Sequence, residues 1–443
     1  MLRKQMIALT SVLALGAAAS QAALADSWVV VAHGNDIKQT TLDDIAAAGG
    51  TVTRHISQIG VLQVEADSNF GEIARTISGV KHLSADGGFQ FYEPVAEAGP
   101  SLEEAANPPG SGDDDFFFDL QWGHDAVDAP EAWNAGYTGK GIRVAVIDGG
   151  YDMDHPDLVP NIDTSAYRDF TGEGIDYGID DTFSHGTHVA GTIAAADNGF
   201  GTIGVAPDAT LILLKALRDE GSGSFGDVAA AIVHAADHDA DIINMSLGAS
   251  FPASAEGAAA LKVMMSRATN YAHHAGVTII TSAGNDARDG DKDTDTVTLP
   301  ADSPHAISIS ATGPRGWAAG EENLNQLAIY SNYGQSLIDF AAPGGDYEYY
   351  LSNGGDICAV AGLVRPCGVF DFVFSTGNGG WYWSVGTSMA SPHAAGVAAL
   401  VMEANGGPMH PAQAVAEMAH LAQDLGKPGN DDDFGGGLLK APR

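Results

Sequence analysis

The sequence predicts an α/β protein: a doubly wound, mostly parallel sheet flanked by helices, preceded by a small α+β unit. Three observations carry this. From residue 116 onward, short apolar runs suited to buried parallel strands recur at 142–147, 211–216, 242–245, 277–281 and 307–310. Ala-rich segments with helical spacing lie among or after them, at 189–196, 226–238, 257–274, 390–404 and 411–421. A turn-rich, acidic stretch at 95–115 separates this region from a shorter one with its own alternation of elements.

Taken in order, residues 1–25 read as an export signal. Arg3 and Lys4 precede an apolar run too short to span a bilayer comfortably, and Ala23-Leu24-Ala25 suits cleavage. Residues 26–94 form a candidate unit of their own. Strands at 27–32, 52–56, 61–64 and 80–83 interleave with helices at 41–48 and 70–77. This β-α-β-β-α-β order is ferredoxin-like. Residues 95–115, with Pro108-Pro109-Gly110 and Asp113-Asp114-Asp115, cannot bury a core and read as an exposed linker open to cleavage. Residues 116–443 hold the α/β domain.

Composition narrows the partners. The 443-residue chain is 45% hydrophobic, enough for a sizeable core, yet its formal net charge is -37. Phosphate backbones and anionic membrane surfaces would repel it, so nucleic acid and membrane are excluded as partners after signal removal. Cys358 and Cys367 are the two cysteines. In an exported chain their short spacing suggests one disulfide.

Four motifs fall where an α/β site is built, at strand ends and helix starts. Asp148 closes Val144-Ala145-Val146-Ile147-Asp148. His185 opens a helix in Ser184-His185-Gly186-Thr187-His188. Asn285 follows a strand in Ser282-Ala283-Gly284-Asn285. Ser388 stands in Gly386-Thr387-Ser388-Met389-Ala390, a run of small residues at a helix start. Taken singly, each has a bland reading as a turn residue, a packing histidine or a helix cap. Zinc fits poorly, since His185 and His188 lack the glutamate of the helical zinc signature. Together, a hydroxyl nucleophile, an imidazole base, an orienting carboxylate and an amide donor make an acyl-transfer set.

The order Asp148, His185, Ser388, with Asn285, resembles the subtilisin-like serine proteases, the subtilases; the resemblance covers residues 116 to about 440. It implies an endopeptidase in which Ser388 attacks, His185 moves the proton, Asp148 orients the imidazole, and Asn285 joins the backbone in holding the oxyanion. His188 and His155 fall to packing roles. Ser246-Leu247-Gly248 and Ser282-Ala283-Gly284 match the two walls of the primary substrate pocket. With no obvious acidic floor there, the expectation is an apolar or aromatic residue before the scissile bond. Residues 26–94 resemble, more loosely, the family's inhibitor-like propeptide, implying a self-processing zymogen cut within 95–115 and a monomeric product acting on proteins or peptides.

The resemblance also implies structural Ca2+. Its ligands would come from Ala196, Asn198, Phe200 and Thr202 in the loop after the His185 helix, with Asp157 and an aspartate of the Asp114-Asp115 pair. One departure stands out: residues 345–372, which carry Tyr347, Tyr349, Tyr350 and both cysteines, are an insertion. It reads as a stapled surface loop or a rim on the substrate side. A competing reading, a catalytically silent subtilase fold used for binding, would show a lost triad or oxyanion residue, and none is lost.

Overall fold

The computed structural model describes residues 27–86, 88–90, 95–100, 113–179 and 182–443. The signal segment and the Pro108-Pro109-Gly110 run lie outside these. An eight-stranded sheet organises the larger unit. Its strands run in the order Gln326–Leu327, Ala306–Gly313, Thr278–Ser282, Ile242–Met245, Arg143–Asp148, Thr210–Lys215, Arg168–Asp169, with Phe340–Pro343 also beside Ala306–Gly313. Every pairing is parallel except that of Gln326–Leu327. This is the predicted class, a mostly parallel sheet covered on both sides.

The strand pattern explains why both faces are covered. Along Arg143–Asp148, Val144 and Val146 join one core while Ala145 and Ile147 join the other. Successive side chains point to opposite faces. A strand apolar at every position therefore needs helices on both sides. One side takes His185–Ala194, Thr387–Ala404 and Pro411–Leu421; the other takes Phe225–Asp237 and Ala258–His274. Helix Thr387–Ala404 is buried from Thr387 through Met402. It lies inside the domain rather than on it, which suits its composition of Ala, Gly, Ser and Val.

The N-terminal unit is a four-stranded antiparallel sheet in the order Thr51–Ile56, Val61–Glu65, Ser27–Ala32, Val80–Ala85, with helices Gln39–Ala47 and Phe70–Ala74. Its alternation serves two interfaces. Val30, Leu62 and Val64 face its own helices, Ile45 and Phe70 among their residues, whereas Val29, Val31 and Val61 join the core built on Ala258–His274. Arg267 of that helix donates to the carbonyls of Ile59 and Ala32, both at 2.9 Å.

Two further pairings carry the chain from this unit into the larger one. Phe89–Gln90 pairs antiparallel with Ser222–Gly223, and Val95–Ala98 pairs antiparallel with Gly380–Val385. Composition reads 95–98 as part of an exposed linker. It is a strand instead, because an edge strand is recruited by its backbone N–H and C=O groups and needs no apolar run.

Asp86 closes the N-terminal unit with its carboxylate on the start of helix Phe225–Asp237, accepting from Gly226 N at 3.2 Å. Helix starts favour anions, and Gln63 also donates to Asp86, at 3.2 Å. Burial nevertheless dominates and, with the nearby Asp227 carboxylate, pushes the Asp86 carboxyl up to about 6. Arg54 pairs with Asp227 beside it. A carboxyl whose value is raised on docking takes up a proton as it docks. Its contribution is therefore full below the ordinary carboxylate value and lost as pH rises through about 6. Amide exchange in Ser27–Ala32 and Val80–Ala85, corrected for intrinsic rates, should be slower at pH 5 than at pH 8. Asp86→Asn should remove most of that difference; an equal difference in the variant would refute the assignment.

Candidate active site

Asp148 ends the strand at the middle of the sheet and is fully buried. Its Oδ1 accepts from Gly149 N at 2.7 Å and from His185 Nδ1 at 2.7 Å. The same oxygen cannot orient an imidazole unless the imidazole is held over it, and the local sequence does this. Ser184 caps helix His185–Ala194, accepting from Thr187 N at 3.2 Å, while its hydroxyl donates to Gly150 O at 2.8 Å. The helix start is thereby tied to the turn just past Asp148. Gly186 permits the approach: a Cβ there would press on the Tyr151 ring and Gly150 O. The His185 side chain keeps 11% of its exposure, against 1% for Asp148, so the ring is the part of this pair that reaches the cleft.

Ser388 stands in the first turn of Thr387–Ala404, a helix on the same side of the sheet as His185–Ala194. Its Oγ donates to Ser246 O at 3.1 Å, and Ser246 Oγ donates to Ser388 O at 2.7 Å. The second bond has a specific cause. In an α-helix the Ser388 carbonyl would accept from the amide four residues on, but that residue is Pro392, which has no N–H. The Ser246 hydroxyl supplies the missing donor and is itself held by Asn244 Nδ2 at 3.0 Å. Asp148, His185 and Ser246 line one cleft, and Ser388 touches that lining through its bond to Ser246 O. The Ser388 N–H lies in the first helical turn, where no intrahelical acceptor exists.

Asn285 is oriented by Thr387. Its Oδ1 accepts from Thr387 N at 2.9 Å and from Thr387 Oγ1 at 2.8 Å. A backbone N–H must face the amide oxygen, which turns the Nδ2 donor to the other end of the side chain. Gly284 N donates to Thr387 Oγ1 at 3.1 Å, completing the clamp.

The two expected pocket walls follow adjacent parallel strands. Ser246, Leu247 and Gly248 continue Ile242–Met245, while Ser282, Ala283 and Gly284 continue Thr278–Ser282. Leu247 and Ala283 are buried apolar residues. His188 and His155 hold backbone. His188 Nε2 meets the carbonyls of Val373 and Tyr382, at 3.2 and 3.1 Å, and burial pushes its pKa down to about 3. His155 Nε2 meets Gly380 O at 3.0 Å.

Sequence reasoning missed the edge strand Ser222–Gly223 and its aromatic neighbours. Phe89 rests against Phe225 at 4.5 Å between ring centroids and Phe251 at 6.0 Å. The only local signal was the small-residue run Gly221-Ser222-Gly223-Ser224. It also missed the hairpin Val373–Gly377 and Gly380–Val385, which leads directly into Ser388.

The loop Ala196 to Thr202 turns over two buried carboxylates. Asp157 Oδ2 accepts from Thr202 N and Trp381 Nε1, each at 2.9 Å, and Asp115 Oδ1 accepts from Phe200 N at 3.1 Å. Their other oxygens, Asp157 Oδ1 and Asp115 Oδ2, are buried and meet no donor among the described residues. The carboxylates of Asp113, Asp114, Asp115 and Asp197 converge within 4.8 Å. Buried, unsatisfied carboxylate oxygens against this loop suit a hard cation. Of the aspartate pair, it is Asp115 that hydrogen-bonds the loop.

Cys358 and Cys367 are bridged across the hairpin Ile357–Val360 and Leu363–Pro366 of the insertion. No helix among the described residues is long and apolar enough to cross a membrane.

Comparison with known proteins finds relatives over most of the chain. Residues 139–437 match the subtilase family. Subtilisin E of Bacillus subtilis is 34% identical over 330 residues, spanning 72% of this chain and 70% of that protein. Among solved structures, fervidolysin from Fervidobacterium pennivorans, described as a keratinolytic enzyme related to subtilisin, superposes with a TM-score of 0.67 at 27% identity, over 94% of this chain and 60% of that one. The epidermin leader peptide processing serine protease of Staphylococcus aureus shares the fold at a TM-score of 0.73 and 20% identity, over 94% and 96% of the two chains.

Proposed function

The chain belongs to the subtilase family of serine peptidases, and we propose that it is an exported endopeptidase made as a precursor that cuts itself. The observation that carries the catalytic part is the 2.7 Å bond from His185 Nδ1 to Asp148 Oδ1 in the cleft that Ser246 shares with Ser388. Asp148 holds the tautomer in which Nδ1 carries the proton, leaving Nε2 as the base. Ser388 Oγ adds to the peptide carbonyl as His185 takes its proton. Asn285 Nδ2 and the Ser388 N–H donate to the resulting oxyanion. His185 then protonates the departing amine, an acyl-enzyme forms on Ser388, and water releases the acid by the same steps in reverse.

The precursor part is supported by the course of the chain itself. Residues Phe89–Gln90 lie on one edge strand of the cleft and Val95–Ala98 on another, the strand that leads into Ser388. This favours a processing bond within 90–95, upstream of the 95–115 linker. Combined with the preference for an apolar or aromatic residue before the cut, it favours cleavage after Phe91 or Tyr92. Export rests on the pattern of residues 1–25. Calcium belongs to the same reading: Ala196, Phe200 and Thr202 would contribute carbonyls, Asn198 its side chain, and Asp157 with the Asp114-Asp115 pair carboxylates, tying the loop after the His185 helix to the start of the domain.

Three outcomes test this. Ser388→Ala should leave the precursor uncut, while N-terminal sequencing of the wild-type product should begin within 91–95. A processed Ser388→Ala protein would sink the self-cleavage. Thr387→Val, which removes one of the two donors on Asn285 Oδ1, should lower kcat about tenfold with KM nearly unchanged, since the oxyanion donor is needed only in the transition state. A change confined to KM would argue against that role. Removing divalent cations with a chelator should lower the thermal midpoint by ~5 °C or more, restored by Ca2+. An unchanged midpoint would remove calcium from the reading.

A further inference from the structure

The insertion at 345–372 has no part in the chemistry above, yet one of its side chains reaches the chain's own strand in the cleft. Val95–Ala98 pairs with Gly380–Val385 in the register Val95 to Val385, Ala96 to Ser384, Glu97 to Trp383 and Ala98 to Tyr382. The ladder continues with Gly99 N donating to Trp381 O at 2.7 Å. At Gly99 the approach is so close that a Cβ would overlap the Trp381 carbonyl and the Phe374 ring. The strand is therefore seated along its whole length.

Tyr350, from the helix Glu348–Ser352 of the insertion, donates its hydroxyl to Glu97 Oε1 at 3.4 Å. Tyr350 is held where it is. Its backbone lies against Gly368, where a Cβ would overlap the Tyr350 N and Cα, and its ring packs 5.8 Å from Phe372. Gly368 belongs to the short helix Cys367–Val369, which begins at the bridged Cys367. The staple, the short helix and Tyr350 thus form one continuous support ending at a side chain of the seated strand. Burial, with the Glu97 carboxylate next, raises the Tyr350 hydroxyl above its ordinary value, so it stays a donor at neutral pH.

We propose that the insertion extends the leaving-group side of the substrate cleft, where Gly380–Val385 binds substrate as an added β-strand and Tyr350 selects an acidic side chain at the place held by Glu97. This rests on the endopeptidase reading above. Backbone pairing with Gly380–Val385 supplies affinity without regard to sequence, and Tyr350 supplies the discrimination. In the precursor, Val95–Ala98 fills this subsite in cis; processing leaves it as the N-terminal segment of the product, which a substrate segment displaces in the same register.

The test uses the processed wild-type enzyme and Tyr350→Phe. Substrates are a peptide of residues 86–100 of this chain, its Glu97→Gln and Gly99→Val versions, and a short chromogenic anilide with no residues beyond the scissile bond. Both enzymes should hydrolyse the anilide equally. Wild type should cut the unaltered peptide about 3- to 10-fold better than its Glu97→Gln version, through KM, and Tyr350→Phe should lose that preference. The Gly99→Val peptide should be cut poorly by both. An equal preference for glutamate over glutamine in the two enzymes, or full cleavage of the Gly99→Val peptide, would overturn the subsite while leaving the endopeptidase intact. Failure of wild type to cut the anilide would overturn both.

Discussion

A carboxylate with no exposure to water, at the end of the central strand, is the constraint from which the rest of the site follows. Asp148 cannot sit there charged without donors. One comes from the next residue in the chain, and the other from His185 on a different element. Meeting that demand fixes where helix His185–Ala194 must begin, and Ser184 fastens its start to Gly150. The same helix runs back along the sheet, and His188 takes the carbonyls of Val373 and Tyr382, one in each strand of the hairpin that delivers Ser388. One buried carboxyl group thus sets the position of His185 and, through its helix, that of the strand preceding Ser388.

Two short strands of the larger unit receive the chain that leaves the N-terminal unit. Ser222–Gly223 and Gly380–Val385 each take a segment of the N-terminal chain as an added antiparallel strand. The N-terminal unit docks its sheet on two helices and sends its continuation along both strands, so its hold on the larger unit comes from a broad apolar contact and from ladder hydrogen bonds together. Asp86, buried between Gln63 and the start of helix Phe225–Asp237, couples that hold to acidity.

The fold was largely legible because its signals are local. Runs such as Ile242–Met245 and Pro411–Leu421 carry their own periodicity, and the four motif residues stand at element boundaries that turn chemistry marks. What was not legible depends on contacts between distant backbones. Val95–Ala98 has no strand-like composition; it is a strand because Gly380–Val385 lies beside it. The Ser222–Gly223 edge has almost no side chains to announce it. Thr387 reads as one small residue among several, and its clamp on Asn285 appears only when two helix and strand ends meet. Tyr350 lies in an insertion without a family pattern to read it against.

Pro392 has a consequence in time as well as in space. It strips the nucleophile's turn of its own internal donor, so the Ser388 carbonyl is satisfied from Ser246, on a strand laid down far earlier in the chain. The reactive turn is therefore not a self-contained piece that can form as soon as it is made. During synthesis Asp148, His185 and Ser246 all precede Ser388, whose turn is completed only when its helix meets the strand end that bears Ser246. A chain still leaving the ribosome therefore carries most of the domain before the turn that bears Ser388 can be completed.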